Sequence, residues 1–207
     1  MDRSTDLSSE DRARISAAIH AAEQRTSGEI VCVLAERSVD ATGLPILIAA
    51  VIALLAPWLL VHFTMLPVAQ ILLIQAALFV VLLPILCLPR LRAALLPARV
   101  RRAIAHRVAM EQFALRGVSR TKDRTGILVF VSLAERYARI IADEGIAARV
   151  PQAEWQRAID ALIGHMRDGR IADGFIVAID RCADVLATHF PHTDAPRDEL
   201  PDRIYLI

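Results

Sequence analysis

LPILIAAVIALLAPWLLVHFTMLPVAQILLIQAALFVVLLPILCL, running from Leu44 to Leu88, decides how the rest of the chain is read. No Asp, Glu, Lys or Arg occurs between Asp40 and Arg90. A single helix of that length would far exceed a hydrocarbon core of about 30 Å, whereas two helices of about 20 residues with a tight connection match it. The pattern predicts one span over 44–61, a second over 67–88, and a turn made of His62, Phe63, Thr64, Met65 and Leu66. A soluble core hairpin this long would carry a charged face, and this one has none. Pro57 and Pro84 fall near span ends or cause modest kinks, which lipid-embedded helices tolerate. Gln70 and Gln75 are expected to face the partner helix.

Outside that block the composition is that of an ordinary soluble domain. The 207 residues carry a net charge of +1 and 23% charged side chains, and the mean hydropathy of +0.43 comes from the block rather than from an evenly apolar chain. Arg25 and Arg37 precede the apolar segment, and Arg90, Arg92, Arg99, Arg101, Arg102 and Arg107 follow it. The turn between the spans has neither Lys nor Arg, so both flanks are expected on the cytoplasmic side. The start MDRSTDLSSEDR lacks an apolar h-region, so a cleavable secretion signal is not expected and the first span does the targeting. Arg90, Arg92, Arg99, Arg101 and Arg102 are read as membrane-surface residues, attracted to anionic headgroups by up to ~1 kcal/mol each. Confined to that flank and without base-stacking aromatics, they argue against nucleic-acid binding.

The flanking sequence carries soluble periodicities. Ser8 and Asp11 form an acidic version of the capping box ahead of Ile15, Ala18, Ile19 and Ala22, and Thr26-Ser27-Gly28 ends that helix. Ile30 to Ala35 is an unbroken apolar run, as expected of a strand covered on both faces. After the apolar block, Ile104, Val108 and Leu115 are expected to form the buried face of a helix that stops at Gly117. Two strands are predicted over 127–133 and 136–142, turning near Ala134 and Glu135, the second nearer an edge. Trp155, Ile159, Leu162, Ile163 and Met166 then form one helical stripe, and Ile171, Phe175, Ala178, Cys182 and Val185 another. Cys32, Cys87 and Cys182 have neither metal-ligand spacing nor an even count, which fits a reducing compartment.

Neither flank can close a core alone. The expectation is one discontinuous α/β domain, 1–40 with 95–190, around a small mixed sheet, interrupted by a transmembrane hairpin at 44–88. An irregular tail, 191–207, follows.

The residues AIHAAEQRTSGEIVCVLAERS, the block from SRTKDRTGILVFVS through DVLATHFP, and the tail ELPD together resemble the TPM domain family. The hairpin is similar to that of a bacterial subgroup carrying two spans between the first and second strands. The resemblance implies a compact α/β sandwich and, for the subgroup, a multi-pass protein of the bacterial inner membrane. It also implies two kinds of activity: acid-phosphatase activity with divalent-ion binding in some members, and an assembly or repair role for membrane complexes in others.

For chemistry, the chain has no GxSxG, P-loop, HExxH or phosphatase Cys with a loop-spaced Arg, so an enzyme would need carboxylates and a metal. Glu29, Asp123, Asp143 and Glu144 should meet at one sheet end, where they would hold Ca²⁺ or Mg²⁺ and orient a phosphate. Alternatively they are solvated strand-end charges paired with Lys122 or Arg124. Thr121, Arg124 and Thr125 match the family block, and Arg124 would neutralise a carboxylate or, with Thr121, clamp an anion. Ligands usually bind beyond the carboxyl ends of parallel strands, and these acids lie at the other end. His189, His192 and Asp194 form a loosely metal-like HxxHxD beside prolines. His106, on the Arg-rich helix, either packs at the surface or points toward the sheet. The reading that follows is a membrane-anchored accessory or interaction module for another membrane protein, with a metal-dependent acid-phosphatase-like hydrolase as the alternative.

Overall fold

The computed structural model describes residues 7–36, 43–88, 97–121, 123–192 and 200–207. In chain order its elements are α1 (Ser9–Glu23), β1 (Glu29–Ala35), α2 (Gly43–Phe63), α3 (Val68–Cys87), α4 (Ala98–Leu115), β2 (Gly126–Ser132), β3 (Tyr137–Ala142), α5 (Glu144–Ala147), α6 (Gln156–Arg167), α7 (Ile171–His189) and β4 (Ile204–Leu206). Short 3₁₀ turns lie at Val118–Arg120 and Gln152–Trp155. Two compact units result, Met1–Ser38 with Arg102–Ile207, and Val39–Arg101.

The first unit is built on a four-stranded sheet in the order β3-β2-β1-β4. β1 and β2 run parallel, in a register from Glu29 opposite Gly126 to Ala35 opposite Ser132. Every residue of both strands is buried, as their continuous apolar runs require. β3 pairs antiparallel with β2, and Arg136, at φ 50°, closes the tight turn between them. On one face of the sheet, Ile30, Cys32, Leu34, Ile127 and Val129 pack in a core with Ile15 and Ile19 of α1, Leu162 of α6 and Phe175 and Ile179 of α7. Trp155 anchors this core at 1% exposure. On the other face, Val31, Val33, Leu128 and Phe130 pack with Ala109 and Phe113 of α4. The Ser8–Asp11 capping box is present: Ser8 Oγ accepts from the Asp11 N–H at 3.0 Å, and Asp11 Oδ2 accepts from the Ser8 N–H at 3.3 Å.

Three expectations are corrected. The buried face of α4 is Ala105, Ala109 and Phe113, whereas Leu115 is 75% exposed. Small alanines let the helix backbone approach the sheet, so the largest apolar side chains are a poor guide to its inward face. The tail is not irregular throughout, because Ile204–Leu206 forms β4, parallel to β1 with Cys32 opposite Ile204. Three residues are too few to show a strand period, and the free edge of β1 supplies the hydrogen bonds. Gln70 is exposed instead of facing the partner helix.

The second unit contains α2 and α3, of 21 and 20 residues, each long and apolar enough to cross a membrane. They pack against each other in antiparallel sequence order, with Ala49, Ala53 and Ile71 buried and Gln75 lining the crevice beside Ala53. Trp58, Leu59, Leu73 and Val80 remain exposed. Pro57 and Pro84 lie inside the helices.

Gly145, at the start of α5, sits where a Cβ would come within 2.5 Å of the Asp123 carbonyl oxygen and 2.6 Å of that of Arg124. Backbone cannot yield there as a side-chain tip would. Gly145→Ala should therefore destabilise the first unit by about 1–3 kcal/mol, read as a lowered denaturation midpoint.

Candidate functional site

The sheet end where β1 and β2 begin and β3 finishes collects most of the polar residues singled out in the sequence. Gly117, at φ 74°, turns the chain out of α4, and two buried threonines shape the loop that follows. Thr121 Oγ1 accepts from the Thr125 N–H at 3.1 Å, and Thr125 Oγ1 donates to the Ser27 carbonyl at 3.1 Å. The Glu29 N–H donates to the Thr125 carbonyl, which carries the ladder of β1 into this loop. Thr121 thus has a structural role that the anion-site expectation did not include.

The four candidate carboxylates share this end but divide by environment. Glu29 and Asp143 are buried, whereas Asp123 and Glu144 are exposed. Asp143 caps α5, its Oδ1 accepting from the Glu144 N–H at 2.8 Å, while its Oδ2 is buried without a hydrogen-bond donor. Glu144 is turned aside by an ion pair with Arg124. Arg124, at φ 54°, is the carboxylate partner that one reading assigned it. Among the described residues no three His, Cys, Asp or Glu side chains come together as ligands for an ion.

The remaining candidates are dispersed. His189 and His192 are exposed, and Asp194 lies outside the described residues, as do Lys122, Arg37, Arg90 and Arg92. Arg99 and Arg102 are exposed on α4, and Arg101 is partly so. All three cysteines are free. Burial raises the thiol pKa of Cys32 and pushes that of Cys182 up to about 12, so neither serves as a nucleophile.

A second acidic group was not legible in the sequence. His20 Nδ1 lies 2.9 Å from Asp202 Oδ2, across 182 positions of chain, and Ser16 Oγ donates to the Asp202 carbonyl. Asp202 thereby fastens the approach to β4 onto α1. Beside it, Glu23 Oε1 accepts from the Ile30 N–H at 2.8 Å. Burial, and then a hydrogen bond with Asp202, push the Glu23 carboxyl up to about 10. Asp202 Oδ1 is buried without a hydrogen-bond partner. The only local signal is Glu23 on the last turn of a helix whose other inward residues are apolar.

The fold is thus a mixed α/β domain with helices on both faces of a four-stranded sheet. Residues 93–185 match the model of the TPM domain, and the chain carries that domain. The match begins beyond the apolar segment, although β1, before it, lies at the centre of the sheet. The fold is similar to the NMR structure of BA42 protein from the psychrophilic bacterium Bizionia argentinensis, with a TM-score of 0.61 at 20% identity over 97% of this chain and 95% of that one. No curated protein matches the chain.

Glu23 makes stability depend on pH in a defined direction. Because its carboxyl rises from 4.5 to about 10 on folding, the native state holds this proton more tightly than the unfolded chain. The contribution is complete below about pH 4.5 and declines as pH climbs toward 10. Glu23→Gln, whose amide can donate to Asp202 without needing a proton, should raise the melting temperature at alkaline pH and flatten its decline, measured by thermal unfolding between about pH 5 and 9.

Proposed function

We propose that this protein is a membrane-anchored TPM domain, both termini cytoplasmic, that serves as an accessory or interaction module for another membrane protein. The observation that carries the reading is the seven-residue parallel register between β1 and β2, which lie on opposite sides of the apolar segment in sequence. A chain that leaves the sheet, crosses a bilayer twice and returns to pair with its own first strand has to begin and end on one side. The arginine flanks and the uncharged turn favour the cytoplasm for that side. Arg99, Arg101 and Arg102, with Arg90 and Arg92, would then rest against anionic headgroups of the bacterial inner membrane.

Two helices and one turn expose little to the far side, so recognition of a partner falls to the helical faces in lipid and to the cytoplasmic domain. Trp58, Leu59, Leu73 and Val80 offer apolar surface of the kind a neighbouring span can cover. Metal-dependent phosphomonoester hydrolysis, the alternative, has in its favour the buried, donor-less Oδ2 of Asp143. It requires Glu144 to leave Arg124.

Fluorescent-protein fusions at either terminus should both be fluorescent, and cysteines placed at the termini should react with an impermeant maleimide only after the membrane is opened. Labelling of either terminus from the periplasmic side sinks the topology. Crosslinking in native membranes should capture a defined integral membrane protein. Divalent-ion-dependent turnover of phosphomonoesters, lost in a folded Asp143→Asn variant, would put the hydrolase in place of the accessory role.

A further inference from the structure

At the free edge of β3, α4 on one side and the segment from α5 to Trp155 on the other enclose a cavity of about 400 Å³. This size falls in the range of small-molecule sites. It adjoins the acidic sheet end, since Ala142, next to Asp143, and Ala147 of α5 line it, and its lining has two characters. Met110, Ile141, Ala147, Val150 and Trp155 supply apolar wall, and His106, Arg139 and Gln152 supply the polar groups. Among the described residues no Asp or Glu lines it.

Arg139 is half-buried on β3, and among the described residues it has no hydrogen-bond, ion-pair or aromatic partner. Some other arginines of this domain are engaged, as Arg14 is with Asp173 at 2.6 Å and Arg25 with Asp180 at 2.7 Å. A partly desolvated guanidinium at the wall of a concavity is complementary to a carboxylate or phosphate, which it can hold with two parallel hydrogen bonds. His106 stands next to it, its Nδ1 3.2 Å from the Tyr137 hydroxyl. Of the two placements open to His106 in the sequence, this is the one toward the sheet. Burial, and then the Arg139 charge, lower the His106 pKa. The groups facing the ring are Tyr137 and Arg139 from β3, whereas the segment from α5 to Trp155 contributes no titratable side chain to the lining. Gln152 Nε2 donates one of its two N–H groups to the Ile140 carbonyl at 3.2 Å, closing part of the strand edge.

We propose that this cavity binds a small organic anion with an apolar body, its carboxylate or phosphate held by Arg139 beside His106 and its apolar part against Met110, Ile141 and Trp155. An anion in this position cancels the repulsion between Arg139 and a protonated His106. Binding therefore takes up a proton and strengthens as pH falls through the histidine's range. The same chemistry is available from a soluble metabolite or from the headgroup region of an anionic lipid.

Trp155 lies in the cavity wall and the chain has one other tryptophan, Trp58, so Trp58→Phe leaves a single reporter in the full-length protein. In phosphatidylcholine nanodiscs, hexanoate or hexyl phosphate should change Trp155 fluorescence saturably, with hexanol inert and hexanoate binding tighter at about pH 6 than at about pH 8. Arg139→Met should weaken binding by about tenfold or more. Ala147→Leu, at an exposed position, fills the cavity without altering charge and should also block binding, which keeps the test decisive if Arg139→Met does not fold. A response seen only in nanodiscs doped with phosphatidic acid, and lost in these variants, supports the site with lipid as its source. An equal response to hexanol, a response that survives the variants, or no response to any of these probes overturns the proposal.

Discussion

The parallel pairing of β1 with β2 is the constraint on which everything else in this domain depends. Parallel strands cannot be joined by a hairpin and need a crossover of a dozen residues or more. Here that crossover contains α4 and also the whole apolar unit. Because both strands are buried along their full length, the pairing has no solvent-exposed half that could slip or open. Shifting either strand by one residue would exchange the two faces of the sheet and bring Val31 and Val33 into the core built for Ile30 and Cys32. The insertion is therefore tolerated only if its two ends come back to the same place.

The polar residues follow from that arrangement. Parallel β1 and β2 begin at the same end where antiparallel β3 finishes, so Glu29, Asp143 and their neighbours meet there by topology rather than by a shared motif. Their side chains then diverge, Asp143 turning inward to cap α5 and Glu144 outward to Arg124. At the β1 edge, β4 is held through Asp202, and the cost of gathering carboxyls there is relieved by a proton on Glu23. At the outer edge of β3, where the described residues place no further strand, α4 and the segment from α5 to Trp155 leave the cavity at Arg139.

Periodicity and charge were enough to place the long elements. α2 and α3 agree with the expected spans to within two residues at each end, because twenty apolar residues without a charge admit few alternatives. β1 and β2 were legible as unbroken apolar runs, and Trp155 as a core anchor. The inward face of α4 was not legible, since Ala105 and Ala109 are chosen by how closely the helix approaches the sheet, a distance no single helix specifies. Nor was β4, whose three residues carry no pattern apart from the edge they join.

The sequence by itself determined the apolar hairpin, the two-faced central strands, the helical stripes and the family likeness, all of which are properties of neighbouring residues read at a fixed period. Only the tertiary structure decided which carboxylates turn inward, that Glu23 meets Asp202, and that His106 and Arg139 share a wall. Those encounters join residues far apart in the chain through strand order and helix approach. Their charges and protons are then set by burial, which is a property of the folded assembly rather than of any local stretch.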